Sequence, residues 1–379
     1  MKRAIAAALS LLLLCGCAGV SKEPAHTNIG APMVDYFDGA REISRNPWDM
    51  AVFDGKLYIG AGDYDKNTGP INLNAFDIKK RKWFDTGLLQ DEEISVFRIY
   101  DDILYAPGID PKSSWDYGNF YYTRGNEWTT VSNVPGGVHM FDMIQFDGKM
   151  FYGLGTGDYF IAPVKMSADG GKTYTNVPFY KDGKLLMAEE GFAYTRVYNF
   201  FILKNELYCY FRNYSESADI INKYGKGGIY KFDGSAFQYY DTFFGKISGE
   251  NISYATIPAA ETVGDTLYFT TGKFYKTEDL RTYTEIKMPD EGIVTDLLQE
   301  NGELYVLSRK QQEDGNFKTT IWRYGETPTA LYTIDFELGG QSFAKNGTTF
   351  YVGMGEKVKD IFIKKRDFIG TIFEVVNIK

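Results

Sequence analysis

The chain has 379 residues, with 50 acidic against 41 basic side chains and a formal net charge of −9. That balance argues against nucleic acid or an anionic membrane surface as the main partner. Two histidines, His26 and His139, are too few for a histidine-rich metal site, and no nucleophile-elbow or phosphate-loop motif is present.

Lys2 and Arg3 precede an apolar run over residues 4–14, too short to span a bilayer but suited to a signal-peptide core. The run ends in Leu14, Cys15, Gly16 and Cys17. This resembles the lipobox of bacterial lipoproteins, where cleavage precedes a lipidated cysteine and a small residue must stand just before it. Gly16 satisfies that rule for Cys17, and Leu14 fails it for Cys15. The resemblance implies a signal peptide over residues 1–16 and a lipid (palmitate included) on Cys17. It also implies an exported product at the outer membrane, the cell surface or the outer face of the cytoplasmic membrane. A soluble secreted form is the alternative. Cleavage leaves 39 basic against 50 acidic residues, a formal charge of −11. Beyond Cys17 only Cys209 remains, so no internal disulfide is possible. Cys209, in "ELYCYF", reads as a small apolar core residue.

Residues 17–32 are small and polar and read as a flexible tether, with a root-mean-square reach of roughly 20 Å. Residues 33–379 continue without an obvious linker and are expected to form one domain, as a monomer.

One phrase recurs through that domain: a tight turn, an apolar residue and an aromatic. It appears as "FDGKLYIG", "YDDILYAP", "FDGKMFYG", "LKNELYCY", "VGDTLYFT", "ENGELYVL" and "KNGTTFYV". The aligned aromatics are Tyr58, Tyr105, Phe151, Tyr208, Tyr268, Tyr305 and Phe350, at spacings typical of propeller blades. Within each unit, short β-rich segments alternate with turn residues, and no stretch of ordinary length carries a clean helical period. The sequence predicts an all-β fold: a single seven-bladed β-propeller of four-stranded antiparallel blades, its last blade closed by an N-terminal strand from residues 33–39.

"SADGGKTY" carries Ser167, Asp169, Gly171, Thr173 and Tyr174 in the spacing Ser-x-Asp-x-Gly-x-Thr-aromatic. It resembles the Asp-box of sialidases and of many propellers without sialidase activity. The resemblance places it in the turn between the third and fourth strands of a blade, where the carboxylate holds turn N–H groups and glycine permits the tight path. "KTEDLRTYTEI" looks like a shortened relative, with Thr277, Asp279 and Thr282. Both are expected to be structural, on the face opposite the binding loops.

The other face, called the top here, gathers the loops between second and third strands and the connections into each inner strand. Aligning back from the aromatics brings Arg45, Pro47, Trp48, Glu93, His139, Arg196, Tyr198, Asp296 and Gln341 toward the axis there. Three loops carry an Asp-Tyr pair: Asp63 with Tyr64, Asp116 with Tyr117 beside Trp115, and Asp158 with Tyr159. Aromatic faces beside carboxylates suit sugars, although ordinary loop packing accounts for such pairs too. Acids in the connecting segments favour cationic or hydroxyl-rich ligands.

The triplet Arg45, Asn46, Pro47 resembles the Arg-Ile-Pro motif of sialidases, which supplies one arginine of a carboxylate clamp. That resemblance implies Asp63 or Asp65 as an acid/base group, Arg196 as a second arginine and Glu189 or Glu190 as a partner carboxylate. A third arginine is missing, and Asn replaces Ile. A structural ion-pair role for Arg45 is the competing reading. Asp63, Asp65 and Asn67 also have the alternating oxygens of a calcium loop, but the glycine comes one position late and the later ligands are absent. No cofactor is expected apart from that calcium candidate. The leading expectation is an envelope lipoprotein whose top face binds a glycan or envelope polymer. The alternatives are a sialidase-like glycoside hydrolase or lyase and a scaffold for envelope proteins.

Overall fold

The computed structural model describes residues 23–34, 36, 43–125, 127–156, 163–186, 195–213, 227–241, 257–356 and 367–378. Cys17, Glu189, Glu190, Asp158 and Tyr159 lie outside the described residues.

Each recurrence of the turn–apolar–aromatic phrase folds into an antiparallel hairpin, and turn physics explains why the phrase recurs. Strand Met50–Phe53 returns as Lys56–Ile59 through Asp54 and Gly55, both left-handed at φ 47° and 69°. Asp147 and Gly148 do the same between His139–Phe146 and Lys149–Thr156, as do Asn301 and Gly302 between Ile293–Glu300 and Glu303–Gln311. Two successive left-handed residues make a type I′ turn, whose twist matches that of the strands it joins. The residues that follow point to alternate faces of the returning strand, so an apolar residue and an aromatic are buried on opposite sides, as with Leu57 and Tyr58. In the last recurrence Thr349 pairs with Asn346 across the turn. That register puts Tyr351, not Phe350, at the aromatic position.

Among the described residues the hairpins extend into five discrete four-stranded antiparallel sheets and one sheet of twelve strands. The expected seven separate four-stranded blades do not form; the chain is an all-β propeller with five discrete blades. The cause lies where Lys149–Thr156 pairs with Thr195–Leu203, through Gly155 opposite Arg196. That contact merges two hairpins into one sheet. A Cβ on Gly153 would lie 2.8 Å from the Val197 carbonyl oxygen, so glycine at that position is what lets the two strands approach. The same sheet takes in Phe179–Lys181, paired in parallel with Phe237–Asp241, and the ladder of Asp91–Glu93 with Ile109–Pro111, which reaches His139.

Ring closure also differs from expectation. Ala25–Gly30 pairs with Ile372–Val376 as the outermost strand of the last blade. The closing segment is therefore residues 25–30, inside the stretch expected to be tether; of the expected segment 33–39, residues 35 and 37–39 lie outside the described residues. Met33 is instead buried in the core of the first blade. Trp83 Nε1 donates to the Ile29 carbonyl at 2.6 Å, and His26 Nδ1 lies 2.9 Å from the Tyr332 hydroxyl, so the strand is held from both sides.

Inner strands such as Glu206–Asn213 are buried along nearly their whole length and read as apolar runs, whereas outer strands such as Thr129–Pro135 are largely exposed. Cys209 is a free thiol buried with Phe151 and Phe237.

Candidate functional site

One register position of the inner strands recurs around the axis. It lies opposite the second residue after the aligned aromatic and is occupied by Asp142, Asn199, Asp296 and Ser342 in their hairpins. Asp49 has the same offset in the first. Each of these side chains reaches the next hairpin. Asp49 accepts the Phe97 N–H at 2.6 Å, Asp142 that of Phe200 at 2.9 Å and Asp296 that of Phe343 at 2.9 Å. Asn199 donates to the Ile257 carbonyl at 3.1 Å, and Ser342 to the Pro47 carbonyl at 2.6 Å. Each aspartate also accepts the N–H of its own following residue. A polar residue at this position thus ties neighbouring units together.

These strands enclose a cavity of about 660 Å³ around the axis. Its deep wall carries Asp49, Asp142, Asp296 and Glu261 around Arg98. Arg98 Nε donates to Asp142 Oδ1 at 2.9 Å. Burial works against the Arg98 guanidinium, but Asp142, Tyr100 and Asp49 together more than offset that and raise its pKa. The other carboxyls are pushed the opposite way from ionisation. Burial raises Asp49 to about 6 and Glu261 to about 7, and it lifts Asp296 well above the carboxylate range with Asp49 adding to the effect. Glu261 makes no hydrogen bond to the described residues, whereas the three aspartates each accept two or more.

The wall nearer the loops is built from the first unit and its neighbours. Gly62, at φ 112°, presses against the backbone of Glu92 and Glu93 and bridges to Glu93, which brings that acid beside the loop. The short 3₁₀ turn Tyr64–Lys66 follows, and the Tyr64 N–H lies 3.4 Å from Glu93 Oε2. Burial, with the Glu93 charge, pushes the Tyr64 hydroxyl up to about 12; burial and Asp65 raise Asp63. Trp48 Nε1 donates to the Gly62 carbonyl at 2.6 Å, which fixes the indole. Tyr64, His139, Phe141 and Tyr198 form a run of rings with centroids 6.0, 5.7 and 4.6 Å apart. His139 Nδ1 lies 2.5 Å from Asp110 Oδ1, although the two are not aligned as a hydrogen bond.

Of the residues singled out in sequence, Trp48, Asp63, Tyr64, Asp65, Tyr198, Glu93, Asp296 and Gln341 come together on this cavity. Arg45 does not: it is buried against Gly370 and is not among the lining residues. Arg196 stands behind the wall, with its guanidinium 5.3 Å from the Phe141 ring centroid and Nη1 donating to the Tyr198 hydroxyl at 3.1 Å. Trp115, Asp116 and Tyr117 are exposed and away from the cavity, Trp115 at 73%. The calcium pattern does not assemble among the described residues: Asn67 Oδ1 accepts from Lys112 Nζ, and no cluster of acidic, histidine or cysteine side chains suited to a metal is formed.

Asp49, Arg98, Phe141, Asp142 and Glu261 were not anticipated. For Glu261 the signal is the strand period of two: it stands two residues after Ala259 in the strand Ala259–Val263, and both line the cavity.

The turn at Ser167–Tyr174 joins Val164–Ser167 to Thr175–Asn176. In an antiparallel blade that turn lies at the end opposite the loop of Tyr64. Asp169 accepts the N–H groups of Lys172 and Thr173 at 3.0 and 2.9 Å and the Thr173 hydroxyl at 2.6 Å, while Ser167 Oγ accepts the Gly171 N–H at 2.8 Å. The Thr173 contacts hold the Asp169 carboxyl far below the usual carboxylate range. Tyr174 donates to Asn133 at 2.7 Å. Asp279 repeats the arrangement with Arg281 and Thr282, and Asp233 forms a related one with Ser235 and Ala236.

No family model and no curated protein matches the chain. Among solved structures it is similar to PorZ, an essential bacterial surface component of the type-IX secretion system of Porphyromonas gingivalis. The identity is 14% and the TM-score 0.52, over 89% of this chain and 47% of PorZ, so it spans about half of that protein's length. A chain of the mitotic checkpoint complex is similar at 10% identity and TM-score 0.51, over 99% of both chains. The β-propeller domain of the Trilobed protease from Pyrococcus furiosus is similar at 8% identity and TM-score 0.46, over 82% of this chain and 89% of that one. Identities this low bear on fold alone: the chain is a β-propeller, and its chemistry has to be read from its own cavity.

Proposed function

We propose that this propeller is a glycan-binding module whose axial cavity takes a sugar unit of an envelope polymer. The observation that carries the reading is the juxtaposition, on one cavity, of the rings of Trp48, Tyr64, Phe141 and Tyr198 with the carboxyls of Asp63, Asp65 and Glu93. A sugar offers an apolar face to such rings and hydroxyl donors to such acids. A cavity of about 660 Å³ is within the range of small-molecule sites and admits one or two sugar rings. Binding without turnover is favoured over sialidase-like hydrolysis, because Arg45 is not on the cavity and Arg196 is engaged with Phe141 and Tyr198.

Glycan-array binding by the folded domain, abolished by Trp48→Ala, tests the reading. Release of product from fluorogenic glycosides or envelope polysaccharide would replace it with an enzyme. Absence of both, with a protein cross-linked to the top face at the cell surface, would replace it with a scaffold. The proposed address is the cell envelope, with lipid on Cys17. Metabolic labelling with a palmitate analogue, lost in Cys17→Ser and retained in Cys15→Ser, tests that.

A further inference from the structure

We infer that the deep end of the cavity recognises a cationic amine on the sugar, so that the ligand is an amino sugar with a free ammonium group rather than a neutral or N-acylated one. The inference rests on the glycan reading above and specifies it. Seven carboxyls line the cavity against two basic groups, Lys66 and Arg98, and Arg98 is already paired with Asp142 at 2.9 Å. Acids alone would not define a ligand, and the decisive feature is a set of acceptors that the fold leaves unused. Gln341 is 6% exposed and lines the cavity, yet its Oε1 has no hydrogen-bond partner. Asn199 donates its amide to the Ile257 carbonyl and leaves Oδ1 buried and unpaired. The Glu261 carboxyl, on the same cavity, accepts no hydrogen bond from the described residues.

An unpaired buried acceptor is costly, and two of them on one cavity, beside the unbonded carboxyl of Glu261, call for a group that only donates. An ammonium has three N–H donors and no acceptor. Its charge also answers a second feature of the site: burial and the neighbouring carboxyls disfavour the ionised forms of Glu261, Asp49 and Asp296. A bound ammonium offsets that repulsion. A hydroxyl offers one donor and no charge, and an acetamide adds a carbonyl acceptor that would face the carboxyls.

The test is isothermal titration of the folded domain with a β-1,4-linked glucosamine tetramer and with its fully N-acetylated counterpart, at one neutral pH. The amine form should bind at least tenfold more tightly. Glu261→Gln should abolish that preference while leaving the acetylated affinity within twofold, and Gln341→Leu should weaken the amine form alone. The Glu261 side chain makes no hydrogen bond to the described residues, so its substitution breaks none there and loses only the attraction of Arg98. Equal or tighter binding of the acetylated form, or a preference that survives Glu261→Gln, overturns the inference and leaves the glycan reading intact. Binding of neither oligosaccharide overturns both. Binding of trilysine but of no sugar does the same and points to a basic peptide.

Discussion

Arg98 on the inner strand of one hairpin and Asp142 on the next are joined by a 2.9 Å hydrogen bond across the cavity wall. Asp142 also accepts the N–H groups of Met143 and Phe200 at 2.8 and 2.9 Å, so a single carboxylate ties together three consecutive units. Asp142→Ala leaves Arg98 without its counter-ion and two backbone donors without acceptors. The expected loss is about 3–5 kcal/mol of unfolding free energy, read from urea denaturation. Asp142→Asn keeps the shape and one acceptor oxygen and should cost less than half as much.

Glu261 has the opposite character. Its folded pKa of about 7 lies above the ordinary glutamate value, so ionising it costs more in the fold than in the unfolded chain. Native stability should therefore fall as pH rises through the interval between those values, and the loss should be complete above about pH 7. Glu261→Gln should match the wild type near pH 4 and melt at a higher temperature at pH 8. Equal melting temperatures at pH 8 would show that the carboxyl is stabilised by a contact the cavity does not display.

Asp169 titrates in the other sense. Its carboxyl is held below the usual range, so its contribution is present above the unfolded pKa of about 4 and is lost as pH falls toward the lower folded value. Thermal melts of wild type and Asp169→Ala should differ by a constant amount above pH 5 and converge in stronger acid. Ligand binding should not change, because this turn and the cavity loops lie at opposite ends of the blades.

The two tryptophans singled out in the sequence, Trp48 and Trp115, separate cleanly. Trp48→Ala removes a ring from the cavity and should lower glycan affinity about tenfold or more, the loss of roughly 1.4 kcal/mol of stacking. Trp115→Ala, at a solvent-exposed loop position, should leave affinity within twofold. Titration of both variants, each with an unchanged circular dichroism spectrum, decides the point.

Deleting residues 23–30 removes the strand that covers Ile372–Val376. The exposed edge should then pair between molecules. Size-exclusion chromatography with light scattering should show dimers or larger species, together with a lower melting temperature. A stable monomer would mean that the ring does not depend on this strand.

The hairpins were legible from the sequence because their causes are local. A left-handed pair such as Asp54 and Gly55, followed by Leu57 and Tyr58, specifies a primed turn and a returning strand from a few neighbouring residues. The same holds for Ser167, Asp169 and Thr173, whose contacts lie within five residues of one another. The partition into sheets was not legible in this way. It depends on how closely Gly153 lets the strand of Val197 approach, and no pattern within one unit encodes that distance.

The site divides along the same line. Trp48, Tyr64 and Tyr198 could be placed near the axis by counting back from the aromatic anchors. Arg45 drew attention through its triplet but is buried away from the cavity, while Arg98, in the unremarked "FRIY", faces it. The difference is one of register and neighbours: strand period alone allows a side chain to face the axis, but only the packed ring decides which positions meet there. By itself the sequence determined a propeller built from primed-turn hairpins. The tertiary structure decided which carboxyls share a cavity and which of their acceptors are left without a partner, because those facts arise only when strands remote in the chain are brought within a few ångströms.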